Sequence, residues 1–277
     1  MALRTGNVVS SGEESAGPVG GGLAWIGRLL RNVNEAAPLL RPPAQAAMNV
    51  VLLAEAPEAT LLLCGTSLLE RLLRTLQRAG FRSAVVLSST PDAIAAVVAK
   101  SSWARRELTV RIQGRATGPL MVSQLRLVLD GLNAFPLTLV LPAGAVYDGR
   151  LLRALGAVSE PTALVDSNPP SGYDLLLDGA PATAHGLLCG PIVTDRLVTR
   201  LGEGQLPDAA CSSIDAGRLR VLDVAELPVH ITSMRRDLRP IWFPAPPPRA
   251  RDRATLVVLD AAQKAGLELP ARVHAPI

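Results

Sequence analysis

Aromatic side chains are scarce in this sequence: Phe, Tyr and Trp together make up 3% of 277 residues. That shortage argues against a nucleic-acid-binding face, which stacks bases on aromatic rings. The three cysteines, Cys64, Cys189 and Cys211, lie far apart and outside any C-x-x-C spacing. Neither a disulfide framework nor a zinc site is indicated, and a reducing compartment is expected. His185, His230 and His274 have no carboxylate or cysteine at ligand spacing, which favours structural or surface roles. A G-x-S-x-G nucleophile elbow is also missing. So are a cleavable leader and any run of about 18 apolar residues. The expectation is a soluble, cytoplasmic chain that can associate peripherally with the inner membrane.

What is present is a composition for close packing. Hydrophobic residues reach 48% against 19% charged, weighted towards Leu, Ala and Val, as in the interior of a parallel sheet. The net charge of +4 is uneven. From Ile231 onward there are eight basic and four acidic residues, leaving 20 of each sign in the rest of the chain. All the excess positive charge sits at the C-terminal end.

The pattern divides the chain at residues 1–47, 48–232 and 233–277. The first part opens with the Ser/Gly-rich "SSGEESAGPVGGG", expected as a flexible tail. In the same part "LAWIGRLLRNV" suits a short amphipathic helix that either packs on the domain or anchors elsewhere. From Asn49 short apolar runs alternate with helical ones, the βαβ signature of a mainly parallel, Rossmann-like α/β sheet flanked by helices. Strands are expected at 49–53, 84–88, 107–112, 137–141, 162–165, 174–177 and 219–223. The Pro-rich "RPIWFPAPPPRARDR" is expected to end the compact region as an extended linker, followed by a last helix, "ATLVVLDAAQKAG", closed by Gly266.

The most legible segment is "GTSLLERLLRTLQRAGFRSAVVLSS", residues 65 to 89. Ser67 and Glu70 predict a capping box, the leucines a buried helical face and Gly80 a left-handed C-cap. Thr90 and Pro91 open a second helix, and "GPLMVSQLRLVLDGL" forms a third that stops near Gly131. In order, NVVLL, a loop, TLLLCG, the LLERLLRTLQRAGFRSAVVL helix and strand, and TLVLPAGAVYDGRLLRAL resemble the GT-A-like nucleotidyltransferases of sugar phosphates and molybdopterin. The resemblance covers roughly residues 48–232. It implies nucleotide binding by Leu53, Ala54, Glu55 and Ala56, a Mg²⁺ cofactor, and CTP and a phosphorylated alcohol as partners. The family reaction is attack of a substrate phosphate on the nucleotide α-phosphate. A second resemblance, in "MRRDLRPIWFPAP" and "LDAAQKAGLELPARVHAPI", is to the linker joining such domains to membrane-embedded CDP-alcohol phosphatidyltransferases. It implies a link to phospholipid headgroup synthesis. Since the chain ends where the membrane helices would start, phosphatidyl transfer is not expected of this polypeptide alone.

The departures from the family pattern are chemical. Where the family grips a triphosphate with a G-x-G-x-R loop followed by Pro-Lys, this chain has "AEAPEA", Ala54 to Ala59, with no Gly, Arg or Lys. Glu55 and Glu58 would repel the phosphates. Gly144 stands where the family's metal-binding Asp is expected, and glycine has no anionic oxygen. Asp148 either substitutes for that ligand or caps the helix "GRLLRALG". Asp166, just beyond a strand, is either a second metal ligand or part of a turn. Asp174 and Asp178 read as ligands or hairpin ends. In the C-terminal cluster, Arg235, Arg236, Arg239, Trp242 and Phe243 read as membrane- or partner-facing, each basic residue adding about 1 kcal/mol at an anionic leaflet. The alternative is a solvated linker. The expected activity is thus a degenerate nucleotidyltransferase, or else a scaffold that docks on a membrane phosphatidyltransferase or an anionic membrane surface.

Overall fold

The computed structural model describes residues 48–100, 107–132, 135–227 and 239–264. The amphipathic segment at 23–33, His230, Arg235, Arg236, Gly266 and His274 lie outside them. In chain order the strands are β1 Asn49–Leu53, β2 Leu62–Leu63, β3 Thr66–Ser67, β4 Ser83–Ser88, β5 Thr109–Gly114, β6 Leu137–Pro142, β7 Ala145–Tyr147, β8 Thr162–Asp166, β9 Ala182–Thr183, β10 Gly186–Asp195, β11 Arg220–Asp223 and β12 Trp242–Pro244. The helices are α1 Leu68–Arg78, α2 Pro91–Lys100, α3 Val122–Asp130, α4 Gly149–Gly156, α5 Leu206–Asp215 and α6 Arg251–Lys264.

The main sheet runs β11-β8-β10-β6-β1-β4-β5, with β9 added beside β10. Strands β1, β4, β5 and β6 are parallel, β10 runs antiparallel between β6 and β8, and β11 is parallel to β8. Six strands therefore end on one edge of the sheet, at Leu53, Ser88, Gly114, Pro142, Asp166 and Asp223. This mainly parallel, Rossmann-like architecture is the one the alternating pattern implies.

Side chains alternate across the pleat and so build two cores. Val50, Leu52, Val86, Leu139, Leu141 and Leu164 face the layer containing α1 and α4. Val51, Val85, Val140, Ala163 and Val165 face α3 and α5. Helix α1 buries Leu68, Leu69, Leu72, Leu73 and Leu76, the face its periodicity predicts. Ser67 Oγ accepts from the Glu70 N–H at 3.2 Å, but the Glu70 carboxylate binds Arg74 instead of completing a capping box. Gly80 has φ +96°, and beyond it the Phe81 N–H reaches back to the Leu76 carbonyl.

Several expectations need correction. The strand expected at 174–177 is a run of turns in which the Leu176 and Leu177 N–H groups both donate to the Tyr173 carbonyl, burying both leucines. The strand expected at 107–112 lies two residues further on, as the edge strand β5. Strand β10, ten residues long, has no counterpart among the expected strands. Its pairing with β8 shifts register between Leu188 and Ile192, around Gly190 at φ +98° and Pro191, so its sequence reads as two fragments.

The Pro-rich stretch does not leave the body. Strand β12 pairs antiparallel with β7, Trp242 opposite Tyr147 and Phe243 opposite Val146. Trp242 and Phe243 are 3% and 0% exposed, so neither faces a membrane or partner. Ala250, Ala254 and Val258 join the same core. Phe243→Ala should therefore lower stability by about 3–5 kcal/mol, the range for a deleted core aromatic. Leu127→Ala, on a side chain 75% exposed, should change it by no more than about 0.5 kcal/mol. Urea denaturation of both variants checks the contrast, and equal small effects would mean that the segment is only a linker.

Candidate functional site

In open α/β sheets ligands collect where parallel strands end, because the connecting loops splay apart there. Three neighbouring strands, β1, β4 and β5, deliver Glu55, Ser89 and Arg115 to that edge within two residues of their ends. They bind one another. One Glu55 oxygen accepts from Arg115 Nε at 2.8 Å and faces its Nη2 at 2.5 Å. The other accepts from the Ser89 N–H at 3.3 Å and from the Ser89 hydroxyl. Arg115 Nη1 also donates to the Ala116 and Gly118 carbonyls, both at 2.8 Å. A phosphate approaching Arg115 would first have to displace Glu55, whose charge would then face the newcomer.

The loop backbone is turned inward as well. Ala54 is fully buried and donates to the Leu87 carbonyl at 2.9 Å. The Ala59 N–H closes on the Glu55 carbonyl at 2.8 Å, and Leu61 N–H on that of Glu58 at 3.2 Å. Leu53, inside β1, accepts from the Ala143 N–H at 2.8 Å. Of the four residues expected to bind nucleotide, Leu53 and Ala54 are thus held in the sheet and Glu55 in an ion pair. The fourth, Ala56, is half-buried in the same closed loop.

The expected metal residues are similarly engaged. A Cβ at Gly144 would stand 2.7 Å from Glu58 Cβ and 3.5 Å from the Ala59 nitrogen, so the loop fills the space a carboxylate would need. Asp148 caps α4, accepting from the Arg150 N–H at 2.8 Å and pairing with its guanidinium at 2.7 Å. Asp166 is wholly buried. It accepts from Trp242 Nε1 at 2.7 Å and from the Asn168 N–H at 3.1 Å, and it pairs with the Arg239 guanidinium. Among the described residues no group of three or more His, Cys, Asp or Glu could hold a metal. The donors do not fit Mg²⁺, which needs carboxylate oxygens that are not already committed.

The hollow left beside Gly144, lined by Pro142, Tyr147, Cys189 and Gly190 among others, measures about 160 Å³. Small-molecule sites usually occupy about 300–1,000 Å³. Tyr147 is pushed well up by burial and secondarily by Cys189, and its hydroxyl donates to the Cys189 carbonyl at 3.1 Å. Burial likewise raises the Cys189 thiol far above its ordinary value, Asp166 adding to the effect. Neither group is a candidate nucleophile.

Asp223, at the end of β11, was not singled out from sequence. It accepts from the Ser167 and Ala225 N–H groups at 3.2 and 2.9 Å. Burial alone would raise its carboxyl. Hydrogen bonds from the Ser167 hydroxyl and from those two N–H groups outweigh burial, with Arg239 contributing, and the net shift is downward. Arg115 and Ser89 were missed too; their only local signal is that each directly follows a parallel strand. His185 is exposed, Asp174 is exposed, and Asp178 pairs with Arg249 at 2.5 Å on the surface.

Solved structures share this architecture, two of them as follows. An inositol-1-phosphate CTP transferase from T. maritima superposes with a TM-score of 0.56 over 82% of this chain and 100% of its own, at 12% identity. A protein assigned as a glucose-1-phosphate thymidylyltransferase from Bacillus anthracis, in complex with a sucrose, gives 0.56 over 83% and 100%, at 10% identity. The chain thus has the fold of the nucleotidyltransferases. No family model matches the sequence, and no curated protein matches it.

The bound carboxylates can be tested one by one. Asp166→Asn should cost about 2–4 kcal/mol in urea denaturation, since Arg239 would lose its charge partner in a largely buried setting. Trp242→Phe, which removes a single donor, should cost about 1–2 kcal/mol. The folded state favours the Asp223 carboxylate, so its contribution is complete above the unfolded carboxyl's pKa of about 4 and is lost as pH falls through the depressed folded value. Acid titration of stability should therefore fall less steeply below about pH 4 in Asp223→Asn than in the wild type.

Proposed function

We propose that this chain is a nucleotidyltransferase-fold module related to enzymes that activate phosphorylated alcohols with CTP, and that it serves as a non-catalytic binding or scaffold domain. The observation that carries this reading is the closure of the AEAPEA loop. Glu58 packs where a side chain at Gly144 would stand, and Glu55 takes up Arg115. Nucleotidyl transfer needs positive charge and a metal around the leaving pyrophosphate. This edge of the sheet offers carboxylates already neutralised by the protein's own arginines.

A role beside phospholipid headgroup synthesis draws its support from the sequence. It rests on the resemblance of the C-terminal segment to linkers of membrane phosphatidyltransferases and on the excess positive charge after Ile231. The partner would be such a transferase or the anionic surface around it. Trp242 and Phe243 play no part in that contact, being buried, whereas Arg251 and Arg253 are exposed on α6. Among the described residues no helix is long and apolar enough to cross a membrane.

Isothermal titration with CTP and Mg²⁺ should show no binding at millimolar nucleotide. Pyrophosphate release from CTP with inositol 1-phosphate, or from dTTP with glucose 1-phosphate, should equal the protein-free background. Magnesium-dependent release above that background, abolished by Arg115→Gln, would establish an enzyme instead.

A further inference from the structure

Helix α6 has two unlike faces. Ala254 and Val258 enter the core. Arg253, Leu256, Val257, Asp260 and Ala261, at the 3–4–7–8 spacing of one helical stripe, turn towards a cleft of about 410 Å³. Pro170 and Tyr173, from the loop after β8, line it too, as do Pro240 and Ile241; Trp242 contributes to the lining, beside the Asp166–Arg239 pair. Its volume lies in the usual range for small-molecule sites, about 300–1,000 Å³, and exceeds that of the hollow beside Gly144.

The walls are apolar and the charges sparse. Leu256 stays 62% exposed. Asp166 is occupied by Arg239 and Trp242, so it does not repel an incoming anion freely. Arg239 Nε is buried and has no hydrogen-bond partner among the described residues. Arg253 is exposed on α6 and crosses closely over Gly172, where a Cβ would lie 2.7 Å from its Nη2. The conformation of that loop, with Gly172 at φ +82°, suits glycine and leaves room for the guanidinium. Tyr173 reports the same set of charges. Its hydroxyl is raised first by burial, with Arg253 and Arg239 lowering it and Asp260 raising it. Asp260, itself engaged within the protein, places a negative group on the same stripe as Leu256. Polyanions such as triphosphates or nucleic acid are disfavoured by it.

We propose that this cleft binds a small amphiphile carrying an apolar arm and a single anionic head, a carboxylate or a phosphate monoester. The head sits beside Arg253, on the side of the cleft lined by Arg239, and the arm lies along Leu256, Val257, Ile241 and Tyr173. The cleft meets the sheet edge at Asp166 but takes none of its lining from the AEAPEA loop, and it does not depend on the reading given under Proposed function.

The test uses the full chain and two fluorescent probes, anilinonaphthalene sulfonate with one anionic group and uncharged N-phenylnaphthylamine. The sulfonate should bind saturably at one site, and Arg253→Gln should weaken it about tenfold, the loss of one charge-assisted contact. Leu256→Ser should weaken both probes, while Arg253→Gln leaves the uncharged probe unchanged. Octyl phosphate and octanoate should displace the sulfonate, and inorganic phosphate at equal concentration should not. Near-UV circular dichroism checks that each variant folds; if Arg253→Gln does not, Leu256→Ser decides alone. Unsaturable fluorescence, affinities unaltered by the variants, or displacement by inorganic phosphate as effective as by octyl phosphate would each overturn the proposal.

Discussion

A carboxylate with no surface open to water has to find its hydrogen bonds inside the protein, and Asp166 finds them in a segment more than seventy residues away. Trp242 Nε1 and the Arg239 guanidinium bind its two oxygens. That contact draws the Pro-rich chain back across the end of β8. It places β12 beside β7 and brings α6 against the core. Burying such a group is costly unless it is fully paired, so the pairing also selects one position for the C-terminal segment. The cleft beside α6 exists because the segment is held there.

The same rule governs the rest of the edge. Glu55 meets Arg115, Asp148 meets Arg150, and Gly144 leaves room only for the loop carrying Glu58. In each case a group that could have faced a ligand faces a neighbour from its own chain. The fold shared with solved nucleotidyltransferases is built by packing: five leucines of α1, the alternating valines and leucines of β1, β4 and β6, and the turn at Gly80. Fold and chemistry are separable because the core and the loops answer to different forces.

That separation decides what could be read from sequence. Local rules sufficed for α1, its Ser67 cap, the Asp148 cap of α4 and the apolar strands, since periodicity and capping act over a few residues. They failed where a distant partner sets the outcome. Gly190 and Pro191 break up the pattern of β10, although pairing on both sides carries the strand through them. The prolines around Trp242 suggest an extended linker, yet extended backbone is also what an edge strand needs, and Asp166 supplies the anchor. The closed loop was half legible: the missing glycines and basic residues were plain, while the arginine sixty residues on that neutralises Glu55 was not.

Hydrogen exchange at the amides of Ala59 and Leu61, followed with and without CTP and Mg²⁺, reports most directly on whether this edge satisfies itself. Because these N–H groups already donate to the Glu55 and Glu58 carbonyls, they should be protected in the free protein, with protection unaltered by millimolar nucleotide. Rapid exchange in the free protein that slows when CTP and Mg²⁺ are added would contradict the account, because the loop would then be open and waiting for a triphosphate.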